Sequence, residues 1–132
     1  MTAPSFPSER PRVRLKPKVN ARNLRHGFPW VYSSDLVTDR RTRKLPAGTL
    51  AVLEDEARAP LGLVAITPDS KIICRMLDRD PGAQIDQRWF TQRLTRAFEL
   101  RNRLYDMPFY RLVHAEADGL PGVVIDRFGA AC

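Results

Sequence analysis

Lys16, Lys18, Arg22, Arg25, His26 and Trp30 gather cations, an imidazole and an indole into one short stretch of this chain. Lysine and arginine neutralise phosphates, and affinity from that source falls steeply with salt. An indole or guanidinium plane stacks on an unpaired base, the usual route to reading single-stranded RNA. These residues are therefore the candidate RNA-contacting surface. Each also has a plainer use: the cations as a solvated face, His26 as a polar turn residue rather than a base, and Trp30, set between Pro29 and Val31, as a core ring.

The elements that must position them follow from patterning. Of 132 residues, 43% are hydrophobic, enough for a core, and 11 prolines favour many short elements over a helical bundle. A chain of this length holds one ordinary domain or two very small ones. Val13–Pro17 alternates apolar and basic residues and predicts a first strand. Asn20–His26 suits one helical turn with Asn20 as its cap, ended by Gly27 and Pro29. Val31–Tyr32 and Leu36–Val37 are short strand candidates, and Arg40–Lys44 predicts a charged loop before the turn at Pro46-Ala-Gly48. Thr49–Leu53 and Leu61–Ile66 predict a hairpin around the acidic loop Glu54–Arg58. Short strands and close-spaced turns of this kind suggest a small mixed β-barrel.

Pro68-Asp-Ser70 is the expected boundary, dividing the chain into residues 1–67 and 68–132, with the first part expected to fold alone. Beyond it, Ile72–Leu77 predicts a strand, and Asp86 caps a helix over Gln87–Asp106. Phe90, Leu94, Ala97, Phe98, Leu104 and Tyr105 make that helix amphipathic, with Arg88, Arg93, Arg96 and Arg103 as its wet face. Tyr110–Ala115 and Gly122–Phe128 then read as a hairpin about the turn from Asp118 to Gly122. The fold class is α+β: a small mixed barrel followed by a strand–helix–strand–strand unit. The apolar hairpin ends close to Cys132 with no further strand to pair, and self-association into a homo-oligomer is the expected consequence.

Charge separates along the chain. Net charge is +7, yet residues 1–44 carry eleven Lys/Arg against Glu9, Asp35 and Asp39, and the remainder carries eleven against twelve acids. Met1–Arg10 reads as a disordered basic tail. From Arg12 to Arg25 the cations interleave with Val13, Leu15, Val19 and Leu24, the pattern of a folded basic face that gathers phosphates. A membrane surface would attract the same charge, but no amphipathic basic helix of useful length is present. No signal peptide or membrane-spanning run is apparent, so a soluble cytoplasmic protein is expected.

Other residues offer chemistry less strongly. Glu116, Asp118 and Asp126 can converge across the hairpin for metal binding or acid–base work; the simpler reading has Asp118 building the turn and the others pairing with Arg111 and Arg127. Cys74 lies in an apolar run and reads as a small buried residue, and the two cysteines have no metal-like spacing. No glycine-rich strand-to-helix turn suited to a nucleoside cofactor is apparent.

Glu116-Ala-Asp-Gly-Leu-Pro-Gly-Val-Val-Ile-Asp-Arg-Phe-Gly129 resembles the segment preceding the catalytic domain in bacterial S-adenosylmethionine-dependent 23S rRNA (cytosine-5) methyltransferases that begin with a PUA domain. Lys16, Lys18 and Arg22-Asn-Leu-Arg-His-Gly-Phe-Pro-Trp-Val-Tyr-Ser33 resemble that family's opening, with Phe28 where the family often has a second histidine. The resemblance implies a PUA-like RNA-binding domain followed by a linking domain, with ribosomal RNA as partner. It places the S-adenosylmethionine site and the catalytic cysteine in a further carboxy-terminal domain, so no catalytic, cofactor-binding or metal residue is assigned within this chain. A truncated methyltransferase is one reading; a stand-alone PUA-type RNA-binding adaptor without catalysis is the other.

Overall fold

Val13 and Leu15 are 2% and 1% exposed, while Arg12 and Lys16 on either side lie open to solvent. This is the alternation of a strand with one buried face, and it anchors the computed structural model, which describes residues 10–132. The tail expected over Met1–Arg10 thus lies outside the described residues except for Arg10. The chain divides into two units between Ala83 and Gln84.

The first unit is built on a five-stranded sheet. Its strands are β1 (Arg12–Arg14), β2 (Trp30–Tyr32), β3 (Thr49–Glu54), β4 (Pro60–Ile66) and β5 (Ile72–Asp78), in the order β1-β3-β4-β5-β2. β1 runs parallel to β3; the other pairs are antiparallel. The free edge of β1 is taken by the segment following β2: Lys16 N donates to Asp35 O (2.9 Å) and Val37 N to Arg14 O (2.8 Å). The sheet therefore curls back towards its own beginning, around a core that includes Leu15, Leu36, Leu53, Val64, Ile66 and Ile73. Gly62 sits at a close approach of β4 and β5, where a Cβ would lie 2.6 Å from Asp78 O.

Two short helices decorate this sheet. Helix α1 (Arg22–Arg25) follows Asn20, whose Oδ1 accepts from Arg22 N at 2.9 Å. Residues 40–44, expected as a charged loop, instead hold helix α2 (Arg40–Arg43). The reason is a cap: Asp39 Oδ1 accepts from Thr42 N at 2.8 Å, and the Thr42 side chain is buried.

The boundary expected at Pro68 is a tight turn inside the first sheet. Thr67 N donates to Ile73 O (2.8 Å), which closes the β4–β5 hairpin. β5 is then flanked by β4 and β2, with Ile73 and Cys74 buried. The strand assigned by sequence to the second domain thus belongs to the first.

The second unit comprises α3 (Gln87–Leu104), capped by Asp86 Oδ1 on Trp89 N, and the antiparallel hairpin β6 (Phe109–His114) and β7 (Val124–Phe128). The apolar stripe expected on α3 is not the buried one: Phe90, Phe98, Leu104 and Tyr105 are 44%, 42%, 65% and 51% exposed. Of that stripe Ala97 alone is buried, and it is joined by Trp89, which the stripe did not include. Arg93, expected on the wet face, lays its guanidinium 3.7 Å from the Trp89 ring centroid and donates to Gly119 O at 2.9 Å. Arg101 clasps Asp118 with bonds of 2.7 and 2.8 Å. Trp89, Arg93, Ala97 and Arg101 recur every fourth residue, so the helix face towards the hairpin is chosen by one indole and two arginine stems.

Residues 1–83 should unfold cooperatively in urea as an isolated polypeptide. Residues 1–67, lacking the strand between β4 and β2, should show no cooperative transition by circular dichroism. Equal cooperativity of the two would contradict the central place of β5.

Asp118 yields a pH signature. Burial alone would raise its pKa, but the Arg101 guanidinium and the His114 N–H, 2.7 Å away, outweigh it and hold the carboxyl below its usual range. A carboxylate lowered in the fold contributes fully above its unfolded pKa of about 4 and loses that contribution as pH falls through the native value. Asp118→Asn should cost about 3 kcal/mol at pH 7, with the gap to wild type narrowing in melts at pH 3. A gap of constant size would show that the pair is not the source.

Candidate nucleic-acid interface

In β2, Val31 is buried, so alternation turns Trp30 and Tyr32 the other way. Phe28, held by its N–H to Asn23 O (2.9 Å), adds a third ring. Its centroid lies 6.3 Å from Trp30 in an edge-to-face arrangement and 6.5 Å from Tyr32. The rings line a cleft of about 210 Å³ shared with Asn20, Asn23 and Asp35. That is below the roughly 300–1,000 Å³ of pockets for drug-sized ligands, and it suits one flat ring.

Trp30 is half-buried, which satisfies neither the core reading nor the fully exposed platform. Its Nε1 is the buried side-chain polar atom left without a hydrogen-bond partner among the described residues. Such an orphan donor costs about 1–3 kcal/mol, a cost unlike that of an ordinary core indole. Arg75, opposite Trp30 in the β2–β5 register, holds its guanidinium 6.0 Å from the ring centroid.

The cations expected from sequence divide into two groups. Lys16, Lys18 and Arg22 are exposed, and their side chains form no ion pair among the described residues. Lys18 occupies the left-handed region at φ 71°, its N–H donating to Glu56 Oε2 at 3.2 Å. Arg25 is committed: its guanidinium meets Asp55 at 2.8 Å. Asp55 also accepts from Ala59 N and Ala57 N, and these bonds with the Arg25 charge hold its carboxyl below the usual range. His26 is exposed at the carboxy end of α1. Sequence reasoning passed over Phe28 and Tyr32; their two-residue spacing about Trp30 on a strand was the available signal.

The remaining candidates resolve simply. Asp126 pairs with Arg111 (2.8 Å), as expected. Asp118 does more than build a turn, being the carboxylate that Arg101 clasps. Arg127 pairs with no carboxylate among the described residues but donates to Gly129 O and the Tyr110 hydroxyl. Among the described residues no cluster of His, Cys, Asp and Glu could hold a metal ion, and no helix is long and apolar enough to cross a membrane.

Comparison with known proteins adds four findings. The family model of a PUA-like domain matches residues 13–79, which span β1 to β5. A ribosomal RNA large subunit methyltransferase of Deinococcus radiodurans is 34% identical across 97% of this chain and 32% of its own length. Ribosomal RNA large subunit methyltransferase I of Cronobacter sakazakii is 36% identical across 85% of this chain and 28% of its own. The chain thus spans about a third of the length of the curated relatives it matches. A solved protein of Streptococcus mutans, described as a SAM-dependent methyltransferase, superposes with a TM-score of 0.74 at 16% identity, over 90% of this chain and 31% of that one. This last likeness is one of fold.

Cys74 is buried, and burial pushes its thiol up to about 12, which leaves no reactive thiolate at neutral pH. Cys132 is exposed. Thiol-labelling at pH 8 should therefore modify Cys132 rapidly and Cys74 only after unfolding. Rapid double labelling of the native protein would show that the sheet opens around β5.

Proposed function

Because the chain belongs to the PUA-like domain family through residues 13–79, we propose that it supplies the RNA-binding part of an S-adenosylmethionine-dependent methyltransferase that modifies C5 of a cytosine in large-subunit ribosomal RNA. The observation that carries this reading is the reach of the relatives. The Deinococcus radiodurans methyltransferase aligns over 97% of this chain, second unit included, whereas an RNA-binding module shared among unrelated proteins would align over the first unit alone.

In this reading Lys16, Lys18 and Arg22 hold backbone phosphates, and an unpaired base stacks among Phe28, Trp30 and Tyr32. Base–aromatic stacking contributes about 1–3 kcal/mol per base. His26, exposed at the end of α1, donates to a phosphate or sugar. Arg25, tied to Asp55, stiffens the junction of α1 with the β3–β4 loop more than it contacts RNA.

S-adenosylmethionine does not fit the residues of this chain. Among the described residues the caps of the three α-helices are Ala21, Asp39 and Asp86, and none opens on a glycine turn that would cradle a nucleoside. The two strands of the second unit form an antiparallel hairpin with no parallel crossover beside which such a cofactor would lie. In this reading the chain binds and orients RNA.

Replacing Lys16, Lys18 and Arg22 with Ala should reduce the slope of log affinity against log salt for single-stranded RNA by about 2, at roughly 0.7 per lost phosphate contact. An unchanged slope would remove these residues from the interface. For the reaction itself, deleting the gene should abolish one bisulfite-resistant cytosine in large-subunit rRNA. Unaltered methylation alongside retained RNA binding would leave the adaptor role in its place.

A further inference from the structure

A second cationic feature joins Arg12 and Arg14, part of the basic face read from the sequence, to Arg41 and Arg58, which that reading did not include. Arg12, Arg14, Arg41 and Arg58 line a cleft of about 260 Å³ together with Asp39 and Glu54. Its two carboxylates are already engaged. Glu54 is buried and accepts from Arg12 at 2.9 Å, and Asp39 caps Thr42 N at 2.8 Å. Arg14, Arg41 and Arg58 form no ion pair among the described residues, although behind the bonds to Thr42 the charges of Arg41 and Arg14 also help hold the Asp39 carboxyl below its usual range. The cleft therefore presents surplus positive charge with fork-shaped donors and few acceptors.

Arg58 is held where it is at a cost. Its φ is 66°, the left-handed region that a bulky side chain adopts rarely. The turn that imposes this is pinned by Arg58 N to Asp55 O (3.0 Å) and by Asp55 Oδ1, which accepts from Ala57 N and Ala59 N at 2.9 Å each. A residue in that conformation costs about 1–2 kcal/mol relative to glycine. Stability alone would favour glycine here, so an arginine invites an explanation in its side chain.

We propose that this cleft binds a phosphate of an RNA backbone, forming a second contact point on the same strand of nucleic acid. Guanidinium groups match phosphate oxygens with paired, charge-assisted hydrogen bonds. Alternation along β1 places Arg12 and Arg14 in one outward row with Lys16, at about 6.6 Å per two residues. The row links the cleft to the lysine end of the interface. The assignment deepens the RNA-binding reading and rests on it for the identity of the ligand.

The test uses Arg41→Gln with Arg58→Gly. Glycine relieves the left-handed strain at position 58, so the melting temperature should hold or rise while two cations are lost. The salt slope for single-stranded RNA should fall by about 0.7, the share of the one phosphate that the cleft holds. An unchanged slope would overturn the proposal, and the Lys16, Lys18 and Arg22 variant reports separately on the main interface. Inorganic phosphate supplies the other arm. If phosphate alone shifts the Arg14 and Arg58 Nε–H resonances to saturation while the variant's RNA slope is unaltered, the site takes a free anion and the RNA assignment is wrong.

Discussion

Two backbone hydrogen bonds, Lys16 N to Asp35 O and Val37 N to Arg14 O, set the terms for the rest of the first unit. They bind the outer edge of β1 to the segment that leaves β2, so β1 has a partner on each side and the sheet curls. With Val13 and Leu15 committed to the interior, Arg12 and Lys16 have nowhere to go but outward, and Arg14 follows them. The same closure brings Asp35 to the ring-lined cleft beside β2. The basic row and the aromatic cleft are thus two results of one constraint, the need to bury alternate residues of a short strand that would otherwise be an open edge.

Charge in this protein is organised by the fold more than by position in the chain. The excess of cations in the first third suggests an unbroken basic face, but the end of β3 and the loop after it return three acids to it. Glu54 meets Arg12, Asp55 meets Arg25, and Glu56 accepts from the backbone of Lys18. What remains uncompensated is a sparser set with gaps between its members. Pairs whose arginines stay about half-exposed add little to stability; their larger effect is to decide which cations stay available for a polyanion.

The local signals were the most legible. Asn20 and Asp86 both accept from backbone N–H groups two or three residues on, and the hairpin around the acidic loop lies where alternation put it. What the sequence hid were choices made at a distance. Pro68-Asp-Ser70 has the composition of a linker, yet it is the turn that returns the chain to the sheet. Asp39 and Thr42 are spaced as a cap, but a run of four cations masked them. On α3 a count of apolar residues favoured the Phe90–Phe98 face, whereas the hairpin recruited Trp89 and the stems of Arg93 and Arg101. The ring cleft was half visible: Trp30 was a candidate, and its neighbours two residues either side were not.

The parallel pairing of β1 with β3 also carries a consequence for synthesis. As the chain leaves the ribosome, β1 emerges ahead of both its partners, and its parallel neighbour Thr49–Glu54 follows only after the segment around Asp35 and Val37. β2 must wait longer, because the strand it joins is Ile72–Asp78. At roughly 5–20 residues per second, the basic, aromatic opening of the chain spends on the order of seconds unpaired. During that interval its cations are close to the RNA of the machine that is making it, before the fold has decided which of them to neutralise.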